Sequence, residues 1–262
     1  MSKRSLALIA ALLLGASLGS GGASAGSTLQ PITVFAAASL TDVFPAIDRH
    51  ETYSFGGSNT LAAQIAQGAP ADVFAAANTA IPAALYAAGL VEKPVAFTRN
   101  TLVLVVPRSN PAGIHSVYDL ENPGVTVDVA APQVPVGAYT LQVLKQMGIE
   151  QQVLANVASE ETDVRSVLAK VQLGQADAGF VYATDAKTVA GDVTVIKVPA
   201  WAQPKVTYAM AVVTRSRNQA AAKAFVAKVL SKAGQRVLAR YGFLPLPQPV
   251  PGKPAMVGAA DT

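Results

Sequence analysis

The sequence contains no cysteine. This absence excludes disulfide bonds, thiol chemistry and cysteine-ligated metal sites, and it leaves no residue for lipid attachment through a processed N-terminal cysteine. Histidine is scarce as well. Only His50 and His115 are present, neither in an HExxH setting, and no Gly-x-Ser-x-Gly element follows residue 25. A hydrolase needs a nucleophile, a base and an orienting acid, so these shortages argue against an enzyme.

Charged residues are also few, at 14% of the chain. The 20 Lys and Arg residues exceed the 16 Asp and Glu residues, which gives a formal net charge of +4. No run of Lys and Arg is interleaved with aromatic residues, so the composition argues against nucleic-acid binding. The chain has 262 residues, 51% of them hydrophobic. It can therefore bury a sizeable core in one large or two small domains.

The N-terminal segment has the pattern of a secretory signal. Lys3 and Arg4 precede a nearly continuous apolar run over residues 6–18, and Ala23-Ser24-Ala25 provides a small-residue cleavage site. Residues 1–25 are therefore predicted to be a signal peptide. An uncleaved anchor is the alternative, but the apolar run is short for a membrane span. Cleavage would lower the net charge to +2 (18 minus 16). We expect an untethered, exported protein in the periplasm.

Beyond the signal, short apolar runs alternate with helical patterns, which is typical of an α/β fold around largely parallel sheets. Two such sets predict two lobes with a ligand cleft between them, and the last strand returns to the first lobe. We assign 26–106 plus 207–247 to lobe 1, 107–206 to lobe 2, and the Pro-rich residues 248–262 to a disordered tail. Predicted strands cover 32–36, 52–55, 71–75, 102–106, 126–130, 178–182, 193–198 and 206–214, and predicted helices cover 40–48, 59–67, 81–88, 137–147, 163–173 and 219–240.

Five short segments place a hydrogen-bond donor where a small anion could bind. They are residues 36–41, 57–61, 134–137, 162–165 and 179–182, and each of the first four is predicted to begin a helix. A helix start presents unpaired N–H groups and the positive end of the helix dipole, which favours anions. Serine at such positions is also a common N-cap, valine a common core residue and tyrosine a common strand-end residue, so each segment alone has a structural alternative.

The same segments resemble a known family. Residues 34–41, 55–74, 134–139, 162–186 and 240–243 are similar, in this order, to the sequence blocks of the periplasmic molybdate-binding proteins of bacterial ABC importers. The resemblance covers about residues 31–247. It implies a type II periplasmic-binding-protein fold, in which two lobes close on a tetrahedral dianion. It also implies ligand contacts from Ser39, Ser58, Val136, Val164 and Tyr182.

The family implies molybdate, and with it tungstate, as ligand, no other cofactor, and no direct ligation of the metal atom by the protein. It implies delivery to an ABC permease with its cytoplasmic ATPase, and we expect a monomer. Two features differ from the family pattern: only the 18 residues 40–57 separate Ser39 from Ser58, and Val136 stands where a smaller Ala is usual.

The donor types at these positions indicate a neutral cage for an oxyanion. Hydroxyl and backbone N–H groups suit a fully deprotonated dianion, and they disfavour a protonated one whose own hydrogen needs an acceptor. Such a cage cannot separate molybdate from tungstate by charge, and it excludes sulfate only by size. Arg165 is expected to brace the lobes or lie in solvent, and Asp72 and Asp185 to be structural. The alternatives are another oxyanion such as sulfate or thiosulfate, a small organic acid, and a sensing or adhesive module.

Overall fold

In the computed structural model, residues 30–247 form two five-stranded mixed sheets with helices packed against them. The predicted signal peptide and the predicted tail lie outside these described residues. The strands are β1 Thr33–Ala37, β2 Thr52–Gly56, β3 Val73–Ala76, β4 Val95–Asn100, β5 Leu102–Pro107, β6 Val127–Ala130, β7 Val157–Glu161, β8 Ala178–Tyr182, β9 Val193–Lys197 and β10 Val206–Val212. The helices are α1 Val43–Ile47, α2 Ser58–Ala66, α3 Ala80–Ala87, α4 Pro135–Met147, α5 Glu150–Ala155, α6 Val164–Gln172, α7 Ala183–Thr188, α8 Gln219–Leu230 and α9 Lys232–Tyr241.

The two sheets share one topology. The first has the strand order β2-β1-β3-β10-β4 and the second has the order β7-β6-β8-β5-β9. In each sheet the first three strands are parallel, and the fourth strand is antiparallel to both of its neighbours. We call the first sheet with its helices lobe 1 and the second sheet with its helices lobe 2. The α/β prediction is confirmed, with one reversed strand in each otherwise parallel sheet.

The chain crosses between the lobes at Thr101, which separates β4 of the first sheet from β5 of the second. The sequence prediction instead placed residues 102–106 in lobe 1 and the crossover at Val106-Pro107. Strand β5 pairs with β8 and β9, so it belongs to lobe 2. All six residues of β5 are buried. Such an apolar run shows that a strand is central but does not show which sheet contains it.

The two chain segments that cross between the lobes are tied together. The second crossover lies between β9 and β10, and Gln203 within it uses its side-chain amide to bond both backbone groups of Leu102. The amide nitrogen Nε2 of Gln203 donates to the Leu102 carbonyl at 2.7 Å, and the Leu102 N–H donates to Oε1 at 3.3 Å. This paired contact holds the two crossovers side by side, which is where a hinge motion of the lobes would bend.

The predicted C-terminal helix over 219–240 is two helices, because the chain leaves the helical conformation at Ser231 (φ −63°, ψ 159°). The Ser231 hydroxyl accepts from the Gly234 N–H at 3.1 Å and caps α9. Strands β4 and β7 and helices α5 and α7 were not predicted. Both elements of the short segment 40–57, α1 and β2, are present. Among the described residues, no helix combines the length and the apolar character needed to cross a membrane.

Candidate functional site

The five predicted site residues come together in one pocket between the two lobes. Each is 4% exposed or less, and all five line the same cavity: Ser39, Ser58, Val136, Val164 and Tyr182. Lobe 1 contributes the two serines, and lobe 2 contributes the two valines and the tyrosine. The structure therefore assembles the predicted constellation in space, while the role of each residue toward an anion stays a prediction.

The two serines lie where strands of the first sheet end. Ser39 is in a single 3-10 turn after β1, and its Oγ lies 2.8 Å from the phenolic oxygen of Tyr208. Ser58 is the first residue of α2, and its Oγ accepts the N–H of Ala77 at 3.1 Å. Because that N–H can only donate, the hydroxyl hydrogen of Ser58 is left to bond another acceptor. The pocket is where that acceptor would lie.

Helix α4 begins at the pocket with Pro135, whose missing N–H is not needed at this position. The next residue, Val136, has no intrahelical acceptor for its N–H. The helix start is packed tightly against the end of β6, since a Cβ on Gly137 would lie 2.2 Å from the carbonyl oxygen of Ala131. This glycine is therefore needed for the close approach, and it holds the start of α4 against the sheet. Val136 can contribute only its backbone donor to a ligand.

Helix α6, which also belongs to lobe 2, begins at the pocket as well. Its N-cap, Asp163, accepts the N–H groups of Arg165 at 2.8 Å and Ser166 at 3.1 Å. The Ser166 hydroxyl donates to the other carboxylate oxygen at 3.1 Å. Since the cap bonds the second and third N–H groups of the helix, the N–H of Val164 is the one left without an intrahelical acceptor. Asp163 is itself a lining residue, and its carboxylate accepts hydrogen bonds from donors of its own helix.

Tyr182 ends strand β8 with its side chain buried. Its hydroxyl oxygen has no hydrogen-bond partner among the described residues. Burial raises the pKa of Tyr182 well above its ordinary value, so the phenol keeps its hydrogen at neutral pH. An unpartnered buried hydroxyl costs stability. Because Tyr182 lines the pocket, its hydroxyl can donate a hydrogen bond to a ligand bound there.

Arginine and lysine side chains are absent from the described lining of this pocket. The nearby Arg165 is used elsewhere. Its Nε donates to Asp185 at 2.7 Å, and its guanidinium also pairs with Asp42. Because Asp42 belongs to lobe 1 and Arg165 to lobe 2, the predicted bracing role of Arg165 is confirmed. Burial raises the pKa of Asp185 to about 7, although Arg165 acts in the opposite direction.

Asp72 is structural, as predicted. One of its carboxylate oxygens accepts the Thr33 N–H at 2.7 Å, and the other accepts the Ser216 hydroxyl at 2.6 Å. Within residues 30–247, no group of three or more His, Cys, Asp or Glu side chains is arranged to hold a metal ion.

The lobes also approach each other closely at Gly57, the residue before Ser58. A Cβ on Gly57 would lie 2.2 Å from the carbonyl oxygen of Thr162 in lobe 2. The backbone angles at Gly57 (φ −61°, ψ 132°) suit any residue, so the glycine is required by space alone. The sequence does not reveal this contact, because Thr162 lies more than a hundred positions away. Sequence reasoning also missed Tyr208 of β10, whose phenolic oxygen contacts Ser39, and Asn100 of β4, which contacts Tyr208.

Two α/β lobes, joined by two crossovers and enclosing a pocket of hydroxyl and backbone donors, define a binding protein for a small solute. The chain belongs to the family of bacterial extracellular solute-binding proteins, whose model matches residues 32–244. Among curated relatives, it is 42% identical over 224 residues to the molybdate-binding protein ModA of Mycobacterium tuberculosis, covering 82% of this chain and 84% of that one. It is 33% identical over 233 residues to ModA of Escherichia coli, covering 81% and 88%. The resemblance seen in the sequence is confirmed.

Solved structures agree on the fold. The periplasmic molybdate-binding protein of Azotobacter vinelandii matches with a TM-score of 0.73 and 22% identity, covering 83% of this chain and 100% of that one. The sulfate-binding protein SubI of Mycobacterium tuberculosis matches with a TM-score of 0.72 and 22% identity, covering 83% and 87%. At this identity both likenesses concern the fold alone, so the two structures do not decide between their ligands.

Proposed function

We propose that this protein binds molybdate, and tungstate with it, outside the cytoplasm and delivers the anion to the permease of an ABC importer. The observation that carries the proposal is the convergence of five neutral donor segments on one buried pocket. The names of the relatives support the identity of the anion.

The chemistry of the pocket fits a fully deprotonated oxyanion. Burying a dianion without hydrogen bonds is prohibitively costly, and hydrogen bonds to a charged group return about 1.5–3 kcal/mol each. Several preorganised donors are therefore needed. In our proposal Ser39, Ser58 and Tyr182 donate through their hydroxyls, and Val136 and Val164 donate through their N–H groups. The absence of an opposing cation in the described lining keeps the affinity compatible with release to a permease.

The proposed role is binding and not catalysis. Neither His50 nor His115 lies in the pocket lining, and the donors there include no activated nucleophile. We propose a periplasmic location after removal of residues 1–25, and a monomer that meets its permease through the two closed lobes. The metal atom stays within its four oxygens throughout, so no redox step is involved.

The test is isothermal titration of residues 26–262 with molybdate, tungstate and sulfate in turn. We expect tight one-to-one binding of the first two anions and little heat from sulfate. Binding of sulfate with no response to molybdate would instead assign the pocket to the smaller oxyanion. A protein that binds none of the three would overturn the proposal, and Val136 would be the first residue to examine.

The role of Ser58 is tested by Ser58→Ala. The change removes one donor to the anion, and we expect affinity for molybdate to fall roughly 5- to 150-fold, the equivalent of about 1–3 kcal/mol. Ser109→Ala is the matched control, because Ser109 is exposed and lies outside the pocket. Unchanged affinity in Ser58→Ala would remove Ser58 from the site.

A further inference from the structure

A chain of hydrogen bonds runs from the crossover region to Ser39. The Asn100 side-chain nitrogen Nδ2 lies 3.4 Å from the phenolic oxygen of Tyr208, and that oxygen lies 2.8 Å from Ser39 Oγ. All three side chains are buried, with Tyr208 at 0% exposure. Three side chains that are far apart in the sequence thus form one continuous hydrogen-bonded path into the pocket.

The direction of the first bond is set by the backbone. The N–H of Thr101 donates to Asn100 Oδ1 at 2.9 Å, and a backbone N–H can only donate. The oxygen of the Asn100 amide is therefore on that side, and its Nδ2 is the donor on the other side. This nitrogen donates to Thr184 Oγ1 at 2.8 Å and to the Tyr208 oxygen.

The direction of the second bond follows from the first. Because the Tyr208 oxygen accepts from Asn100, its hydrogen is free to be donated, and Ser39 Oγ is the only acceptor in contact with it among the described residues. The opposite direction, with Ser39 donating, would leave a buried phenolic hydrogen without a partner. Burial also raises the pKa of Tyr208 well above its ordinary value, which keeps that hydrogen in place.

We infer that Asn100 and Tyr208 are positioning residues that make Ser39 a pure donor toward the pocket. With its oxygen occupied by Tyr208, the Ser39 hydroxyl presents its hydrogen to the bound oxyanion. An anion that carries its own hydrogen finds no acceptor there, so the pair also disfavours protonated oxyanions. This inference rests on the proposed oxyanion-binding function and assigns specificity to two residues outside the predicted contact set.

The test is a double-mutant cycle with Tyr208→Phe and Ser39→Ala, measured by titration with molybdate. The Phe variant keeps the ring that packs on Phe97, Tyr182 and Phe243 at centroid distances of 6.0, 5.8 and 5.6 Å. We expect Tyr208→Phe to weaken binding about tenfold in the otherwise unchanged protein. In the Ser39→Ala background, where there is no hydroxyl to orient, we expect the same change to alter affinity less than twofold.

Tyr53→Phe is the matched control, because the Tyr53 hydroxyl bonds the backbone carbonyls of Asp48 and Phe44, at 2.5 and 3.2 Å, and Tyr53 lies outside the pocket lining. We expect its molybdate affinity to be unchanged. Thermal unfolding of each variant separates a binding defect from a folding defect. Additive effects of Tyr208→Phe and Ser39→Ala would overturn the inference, as would unchanged affinity in either single variant. Failure of the unsubstituted protein to bind any oxyanion would instead refute the proposed function.

Discussion

Gly57 offers a direct way to test whether anion binding requires the contact between the lobes. In Gly57→Ala the new Cβ would lie 2.2 Å from the Thr162 carbonyl oxygen, whereas real Cβ atoms essentially never approach another atom within 3.0 Å. The lobes, or the turn before α2, would have to separate by at least about 0.8 Å to admit it. The backbone angles at Gly57 are ordinary, so within lobe 1 the substitution adds only one close contact, 2.9 Å to the side-chain oxygen Oδ1 of Asn59, which is the end of a side chain that can rotate away.

A separation of about 0.8 Å is large enough to break a hydrogen bond between a donor in lobe 1 and the anion. A donor about 2.9 Å from an oxyanion oxygen would move to about 3.7 Å, beyond the usual limit for a hydrogen bond. Loss of one or both serine bonds from lobe 1 would cost about 1.5–6 kcal/mol, at about 1.5–3 kcal/mol for each bond to a charged group. We therefore expect molybdate affinity to fall by a factor of about 10 to 10⁴.

The assay is titration of Gly57→Ala with molybdate beside thermal unfolding of the ligand-free protein. Unfolding should be little changed, because the clash with the Thr162 backbone arises only when the lobes meet and the Asn59 side chain can rotate away from the new Cβ. Gly191→Ala is the matched control, since a Cβ there would meet no atom within 4 Å and Gly191 lies outside the pocket lining. If Gly57→Ala bound molybdate within twofold of the unsubstituted protein, the contact seen here would not be part of the ligand-bound arrangement.

Two further predictions concern Tyr182 and Asp185. Tyr182→Phe removes a buried hydroxyl that has no partner. We therefore expect the ligand-free protein to unfold at the same or a higher temperature, while molybdate affinity falls about 10-fold or more. Unchanged affinity would show that this hydroxyl does not contact the anion. Burial raises the pKa of Asp185 to about 7 in the folded protein, against about 4 in the unfolded chain. The folded state therefore favours the protonated carboxyl. Its contribution to the free energy of unfolding is greatest below about pH 4 and is lost as the pH rises to about 7. Asp185→Asn cannot titrate, so the unfolding temperature of the unsubstituted protein should fall relative to that of the variant between these pH values, and a constant difference would contradict the raised pKa.

Local patterns in the sequence predicted much of this protein. The apolar runs that became β1, β5, β6 and β8 are visible as strands, and the helical spacing of Val164, Val167, Leu168 and Val171 marks α6, whose apolar face is buried as expected. The five donor segments could be found because each is a short motif beside a strand end or a helix start. Elements with weaker patterns were missed, such as β7, which alternates between half-buried and exposed residues.

Other features could not be read from local pattern. The apolar run of β5 predicts a strand but does not indicate to which sheet that strand belongs. The break between α8 and α9 at Ser231 lies within an otherwise continuous helical pattern. The contact of Gly57 with Thr162 and the path from Asn100 through Tyr208 to Ser39 join residues that are far apart in the chain.

By itself, the sequence determined the α/β class, the approximate position of most elements and the identity of the donors, because these depend on periodicity and on residues that are neighbours in the chain. Only the tertiary structure decided where the chain crosses between the lobes, how closely the lobes meet, and which groups contact the Ser39 hydroxyl. Those properties depend on strand pairing, on space at an interface and on contacts between distant residues, and each of them is set by groups that the fold alone brings together.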